Sequence, residues 1–388
     1  QAFVIAEQWL DDTELPALTG ADTVIVATAT DWVNAAIDTL APLIEPIATA
    51  TTAALTKLTT EALDGLDVDA FESLPGMDEM PPEFTAMLKQ FMAQDPAQFL
   101  APAARALAGL QAGQVLGELA TRLTYQHEFT LPTASHKDAV ILLGNITDSF
   151  AGYGLDMRDI TVSIALEEAA FRRIFHALPW LNNHIETLFG QFAAGIRFDR
   201  AMLEQLSQEF IGEVDITDEA GLKDAMERAA RFTVPPTAAQ QQVLDQLHTV
   251  LGVVGAWARR EARNVAASRI PTYATVSEVL RRRRASTGDG EAKLQSLLGL
   301  TLTSTDSDGP DTFIDAISAT LGTSALMRVL AHPENLPTPQ ELSQPTLWQQ
   351  RIDSPSVPDD LAALFERLGD APIEPSASQR QHDQDDSS

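Results

Sequence analysis

The sequence predicts a mainly α fold with a small β-hairpin. Three observations carry this. Apolar residues recur at helical spacing along most of the chain. Only residues 124–131 and 138–144 read as strands, the first rich in Tyr, Phe and Thr, the second carrying Ala-Val-Ile-Leu-Leu. Hydrophobic residues make up 45% and charged residues 21%, enough apolar surface for a large core.

The elements follow in order. Asp31 caps a helix whose apolar stripe runs through Trp32, Val33, Ala36, Ile37, Leu40 and Leu43 to Ile47. A second, Ala/Thr-rich helix continues to about Asp64, and 65–82 is a loop broken by Pro75-Gly76 and Pro81-Pro82. Short helices are expected at 83–93 and 96–108. Gly109, Gly113 and Gly117 then stand four apart, which predicts a soluble helix packed closely on a neighbour. After the hairpin come helices at 159–178, 181–196, 199–212 and 219–231, and the longest at 238–268, ended by Pro271. Another starts at Thr275 and closes at Arg284, and short helices at 291–298, 311–320, 323–330 and 338–350 finish the ordered part. The expected organisation is an N-terminal helical region (1–123), a core with C-terminal helices (124–350), and an acidic, partly disordered tail (351–388).

Composition excludes several functions. The chain has 388 residues, 26 Lys+Arg against 55 Asp+Glu, and a net charge of -29. Non-specific binding to nucleic acid or anionic membrane is disfavoured over most of the surface. There are no cysteines, so disulfides, thiol nucleophiles and Cys-ligated metals are out. No apolar run reaches the roughly 18 residues of a membrane span, and with no leader in view the expected location is cytoplasmic. No internal repeat, phosphate-binding glycine loop or Gly-x-Ser-x-Gly elbow is present.

The stretch Ala165-Leu-Glu-Glu-Ala-Ala-Phe-Arg-Arg-Ile-Phe-His-Ala-Leu-Pro-Trp-Leu181 is distinctive. So are Thr30-Asp31-Trp32-Val33-Asn34, the arginines 281–284, Leu297-Leu298-Gly299-Leu300 and Pro333-Glu334-Asn335-Leu336-Pro337-Thr338. In this order they resemble the zincin-like metallopeptidase family of actinobacteria, also described as hydrolases associated with coenzyme F420 biosynthesis. The resemblance covers about residues 24–350 and implies a zincin-like helical core. It also implies an HExxH-type helix, in which two His one turn apart bind zinc and the Glu acts as general base.

The matching residues here depart from that pattern. Glu168 keeps the general-base position. The two His positions carry Glu167 and Phe171, and the third ligand position, a Glu on a later helix, is Gly255. A catalytic zinc needs about three protein ligands and an open water position. The resemblance therefore implies a degenerate member that lacks its zinc and works by binding a protein or peptide. Glu168 is expected in a surface pair with Arg172 at i,i+4, and Phe171 with Gly255 are expected to close the former pocket.

Other candidates follow from the residues themselves. His176, His184 (near Asn183 and Glu186) and His248 could serve as substituted ligands in a metal-dependent hydrolase. Zinc is expected only in that case. His127-Glu128-Phe129-Thr130-Leu131 begins like HExxH, but strand alternation would put His127 and Glu128 on opposite faces. His127 and His136 read as ordinary strand and loop residues. Arg281, Arg282, Arg283 and Arg284 form the basic concentration that could bind an anion or nucleic acid. Their place at a helix C-terminus favours structural pairing instead.

Overall fold

The computed structural model describes residues 1–18, 23–64, 109–110, 112–128, 130–131, 138–197, 236–286 and 308–354. The helices expected at 83–93, 96–108, 199–212, 219–231 and 291–298, the loop at 65–82, His136, and the tail from 355 lie outside these residues. The mainly α expectation holds. The described elements are helices apart from one two-stranded sheet, and no described helix is long and apolar enough to cross a membrane.

The chain opens with α1 (Ala2–Leu10), whose Phe3, Ala6 and Leu10 form a buried stripe. Sequence spacing did not single out this element. Strand β1 (Thr23–Val26) leads into α2 (Ala29–Asp64), one continuous helix where two were expected. Pro42 and Pro46 lie inside it. A proline in a helix interior costs about 3 kcal/mol or more. The buried stripe of Trp32, Ala36, Leu40, Leu43 and Ile47 runs past both prolines, and α2 packs lengthwise on α5 (Trp180–Ala194). Tertiary burial therefore overrides the local breakers.

Residues 112–120 are helical and bury Leu116, Leu119 and Ala120. The close packing expected of the glycines is corrected here. Gly109, Gly113 and Gly117 are exposed, and a Cβ added at any of them would meet no described residue within 4 Å.

The sheet also differs from expectation. β2 (Asp138–Ile141) falls within the strand expected at 138–144, but its partner is β1, in parallel, with Val24 opposite Ala139 and Val26 opposite Ile141. Residues 124–128, 130 and 131 are not part of a strand. Tyr125 makes one antiparallel bridge to Ile141, and a turn follows at once.

After α3 (Leu143–Phe150) comes the central helix, α4 (Met157–Ala177). The Asp156 side chain accepts from the Arg158 N–H to cap it, and it stops before Pro179. Every residue of α4 from Val162 to Phe175 is buried. Such a helix is covered on all sides. Its main neighbours are α1 and α6 (Ala238–Arg269), and it also touches β2 and α7 (Tyr273–Ser286). A Thr237–Gln240 capping box starts α6.

The C-terminal part is α8 (Gly309–Leu321), α9 (Ala325–Val329), a 3-10 turn (Pro333–Asn335), α10 (Pro339–Ser343) and α11 (Pro345–Asp353). The expected single helix at 338–350 is thus split at Pro345. Phe313 and Trp348 pack edge to face at 5.7 Å, and Arg259–Asp311 and Arg260–Asp315 tie α6 to α8.

Candidate functional site

The site lies where the turn 124–128 meets α4. The Glu128 carboxyl accepts from the Thr124 N–H at 2.6 Å and the Thr124 hydroxyl at 2.8 Å, which closes the turn on itself. Arg283 of α7 pairs with Glu128, donates to the Arg122 carbonyl, and lies 5.7 Å over the Phe150 ring. Clamped this way, the turn presents Tyr125 and His127 to the central helix.

The Tyr125 hydroxyl donates to Glu167 Oε2 at 2.7 Å. His127 Nδ1 lies 2.8 Å from Glu168 Oε2, and the His127 backbone N–H donates to the same oxygen at 3.3 Å. The imidazole stacks on Phe171 at 5.4 Å, nearly parallel, and on Phe175 at 5.3 Å. Glu168, Phe171 and Phe175 fall on one face of α4 by their three- and four-residue spacing. His127 and Glu168 are both 0% exposed and Phe171 is 1% exposed. Glu168 Oε1 is buried and accepts no hydrogen bond from a described residue.

This arrangement overturns the expected surface pair. Glu168 does not pair with Arg172 at a solvated face. Its partner is His127, 41 residues earlier, and Arg172 is 2% exposed with its guanidinium 3.7 Å from Glu7 of α1. His127, read as an ordinary strand residue, is instead the partner of Glu168. Tyr125 and His127 face α4 while Glu128 faces Arg283, the same opposite placing of His127 and Glu128 that alternation predicts. The one available signal was the helix itself, where Ala165, Ala169 and Ala170 surround the two glutamates and all become fully buried.

The remaining candidates lie apart. His176 is exposed at the C-terminal end of α4. His184 is half-buried on α5, edge-on to Trp180 at 5.6 Å, and burial lowers its pKa. His248 is half-buried on α6. Burial lowers its pKa, against an opposing pull from Asp245. Gly255 is buried on α6, where an added Cβ would lie 2.7 Å from an Arg259 guanidinium nitrogen and 2.9 Å from Thr130 Oγ1. Arg281 and Arg282 both pair with Glu278 on the same helix, whereas Arg283 turns inward to Glu128. Arg284 belongs to the same helix, α7.

The family model of the zincin-like metallopeptidases matches residues 1–349. This chain belongs to the zincin-like metallopeptidase family. Among solved structures, this family member is similar to a hydrolase candidate with a novel fold from Chloroflexus aurantiacus. The two are 20% identical, with a TM-score of 0.51 over 92% of this chain and 97% of that one. At that identity the likeness concerns the fold. No curated protein matches the chain.

In this zincin-like protein the described residues at the positions matched to zinc ligands, 167, 171 and 255, do not fit that metal. Phe171 has no lone pair to offer and Gly255 has no side chain. Glu167 Oε2 already accepts from Tyr125. His127 turns Nδ1 to Glu168, and its Nε2 lies 3.4 Å from the Gln126 side-chain amide. Among the described residues no group of three or more His, Asp or Glu side chains is arranged to hold a metal ion. What the geometry does supply is a dry, hydrogen-bonded junction between a turn and a helix.

Proposed function

We propose that this chain is a catalytically silent member of the zincin-like metallopeptidases and acts as a binding or regulatory protein. One observation carries the reading. Glu168, at the general-base position, is fully buried, and its Oε2 is held by the His127 imidazole and backbone N–H, with that imidazole stacked on Phe171 and Phe175. A general base must lie within hydrogen-bond reach of the proton it takes, directly or through one water. In a zinc peptidase that water is bound to the metal and acidified by it. Here the Glu168 Oε2 is taken up by the His127 ring and backbone N–H instead.

The test is elemental mass spectrometry on untagged protein, before and after Zn²⁺ loading and desalting, with a peptidase assay on a mixed peptide library. Substoichiometric zinc in both samples, with no cleavage above that of Glu168→Gln, is the expected result. Stoichiometric zinc lost in Glu167→Ala, or cleavage abolished by Glu168→Gln, would establish a metal-dependent hydrolase with substituted ligands and overturn the proposal.

A further inference from the structure

Two hydrogen-bond donors converge on the bare backbone of Gly255. Arg259 Nη1 and Thr130 Oγ1 lie 2.7 and 2.9 Å from the point where a Cβ on that glycine would sit. Arg259 stands one turn further along α6, and Thr130 follows the 124–128 turn. Among the described residues neither donor is spent elsewhere. Arg259 makes its ion pair through Nη2, to Asp311 at 3.3 Å. Thr130 bonds through its backbone, its N–H donating to the His127 carbonyl at 2.8 Å. Both residues reach the surface: the Arg259 side chain is 27% exposed, and Thr130 is half-buried.

Both donors are held in place. Asp311 of α8 fixes one nitrogen of the guanidinium and leaves Nη1 beside the glycine. Thr130 is held at φ +64, and no other described residue except glycine has a positive φ. A β-branched residue rarely adopts that region. Backbone strain of this kind gathers at active sites and ligand clamps.

We infer that Gly255, Thr130 and Arg259 form a subsite for a carboxylate. The donors select the class. A guanidinium and a hydroxyl so close to one point both reach a single carboxylate, whose oxygens accept charge-assisted bonds at about 2.5–2.9 Å. The Asp311 charge beside the guanidinium suits one negative charge better than a doubly charged phosphate. Glycine matters because a side chain there would press on both donors. The carboxylate is a peptide C-terminus or an acidic side chain of the partner. The inference names the chemistry that the binding role proposed above recognises, and rests on that reading.

The probe is acetate, titrated at constant ionic strength into the full chain isotope-labelled at threonine and arginine and followed by NMR. Saturable shifts of the Thr130 amide and the Arg259 guanidinium are expected, with a Kd on the order of 10 mM. Acetamide has the same shape without the charge and should bind at least about tenfold more weakly. Arg259→Gln should abolish the saturable shift at Thr130. Thr130→Val keeps the branched Cβ, removes the hydroxyl and touches no ion pair, so it decides the matter even where Arg259→Gln loosens α8. It should weaken binding about fivefold, read at the Arg259 guanidinium. Acetylated trialanine with a free C-terminus and acetyl-Ala-Glu-Ala amide distinguish the sources, since the natural one should act at lower concentration than acetate.

Shifts that do not saturate, equal binding of acetamide, tighter binding of inorganic phosphate, or acetate binding unchanged in both variants would overturn the inference. Its failure and that of the silent reading are separate. Zinc-dependent cleavage of either peptide would sink the silent reading and leave the acetate shifts standing. No acetate binding in a chain that holds no zinc and cleaves neither peptide would do the reverse.

Discussion

Replacing His127 by alanine should be among the most damaging single changes outside the apolar core. The imidazole has two roles, and each has a magnitude. Losing its hydrogen bond leaves the buried Glu168 oxygen with the His127 backbone N–H at 3.3 Å as its remaining donor, a loss worth about 1–3 kcal/mol. Losing two ring stacks, at 5.4 and 5.3 Å, costs about 0.5–1.5 kcal/mol each. These contributions overlap, so the expected cost is about 3–5 kcal/mol, set against a typical total of about 5–15 kcal/mol. His127→Phe isolates the polar part, since it keeps a ring stacked on Phe171 and Phe175, and should cost about 1.5–3 kcal/mol. Combining it with Glu168→Leu removes both partners and should recover at least about 1 kcal/mol relative to additivity. The assay is urea unfolding followed by the fluorescence of the five tryptophans and by circular dichroism. Coincident curves and an unchanged m-value license the free energies. A cost below about 1 kcal/mol for His127→Ala, or a coupling of zero, would refute the claim that this pair joins the turn to the helix.

Other outcomes follow from neighbouring features. Arg173 is 2% exposed and donates to Glu7 Oε2, the Glu7 carbonyl and Asp11 Oδ1 at 2.7–2.8 Å. Arg173→Ala should cost about 3–5 kcal/mol and make the first fifteen or so residues sensitive to limited proteolysis, by release of α1 from α4. Arg283→Ala should lower the melting temperature more than Arg281→Ala and Arg282→Ala combined, because Arg283 alone of the three holds the 124–128 turn; equal effects in differential scanning fluorimetry would count against that clamp. Burial raises the Glu261 pKa above 4.5, against opposing help from Arg260 and Trp257. The folded state then holds this proton more tightly than the unfolded chain does. Its contribution to stability is present below 4.5 and is lost as pH rises through the raised value. Melting temperatures measured against pH should show this downward component in the parent and lack it in Glu261→Gln.

Much of the helical scaffold was legible in the sequence because its signals are local. Pro179 stops α4, Thr237 and Gln240 start α6, and Pro271 follows its end. The segment 124–131 misled because Tyr, Phe and Thr favour strands in general. Here a Glu128 side chain bonding back to Thr124 made the turn, a tertiary choice fixed by Arg283 from 155 residues away. β1 was invisible for a related reason. Four residues give no periodicity, and the strand that pairs with it lies more than a hundred residues downstream. That residues 167, 171 and 255 depart from a zinc-ligand pattern is what the resemblance implies. That Glu168 points at an imidazole could not be read from it, since nothing in its own helix hints at His127.

Gly255 has a consequence for how this protein can change over time. Its missing side chain is matched by Thr130, a threonine held at φ +64 in the left-handed region, where a β-branched residue is an outlier. Any side chain placed at 255 would press on Thr130 and on the Arg259 guanidinium together. A substitution at 255 therefore needs a change at Thr130 or a shift of the Arg259 side chain to go with it, so positions 130, 255 and 259, the first far from the others in the sequence, are bound to vary together.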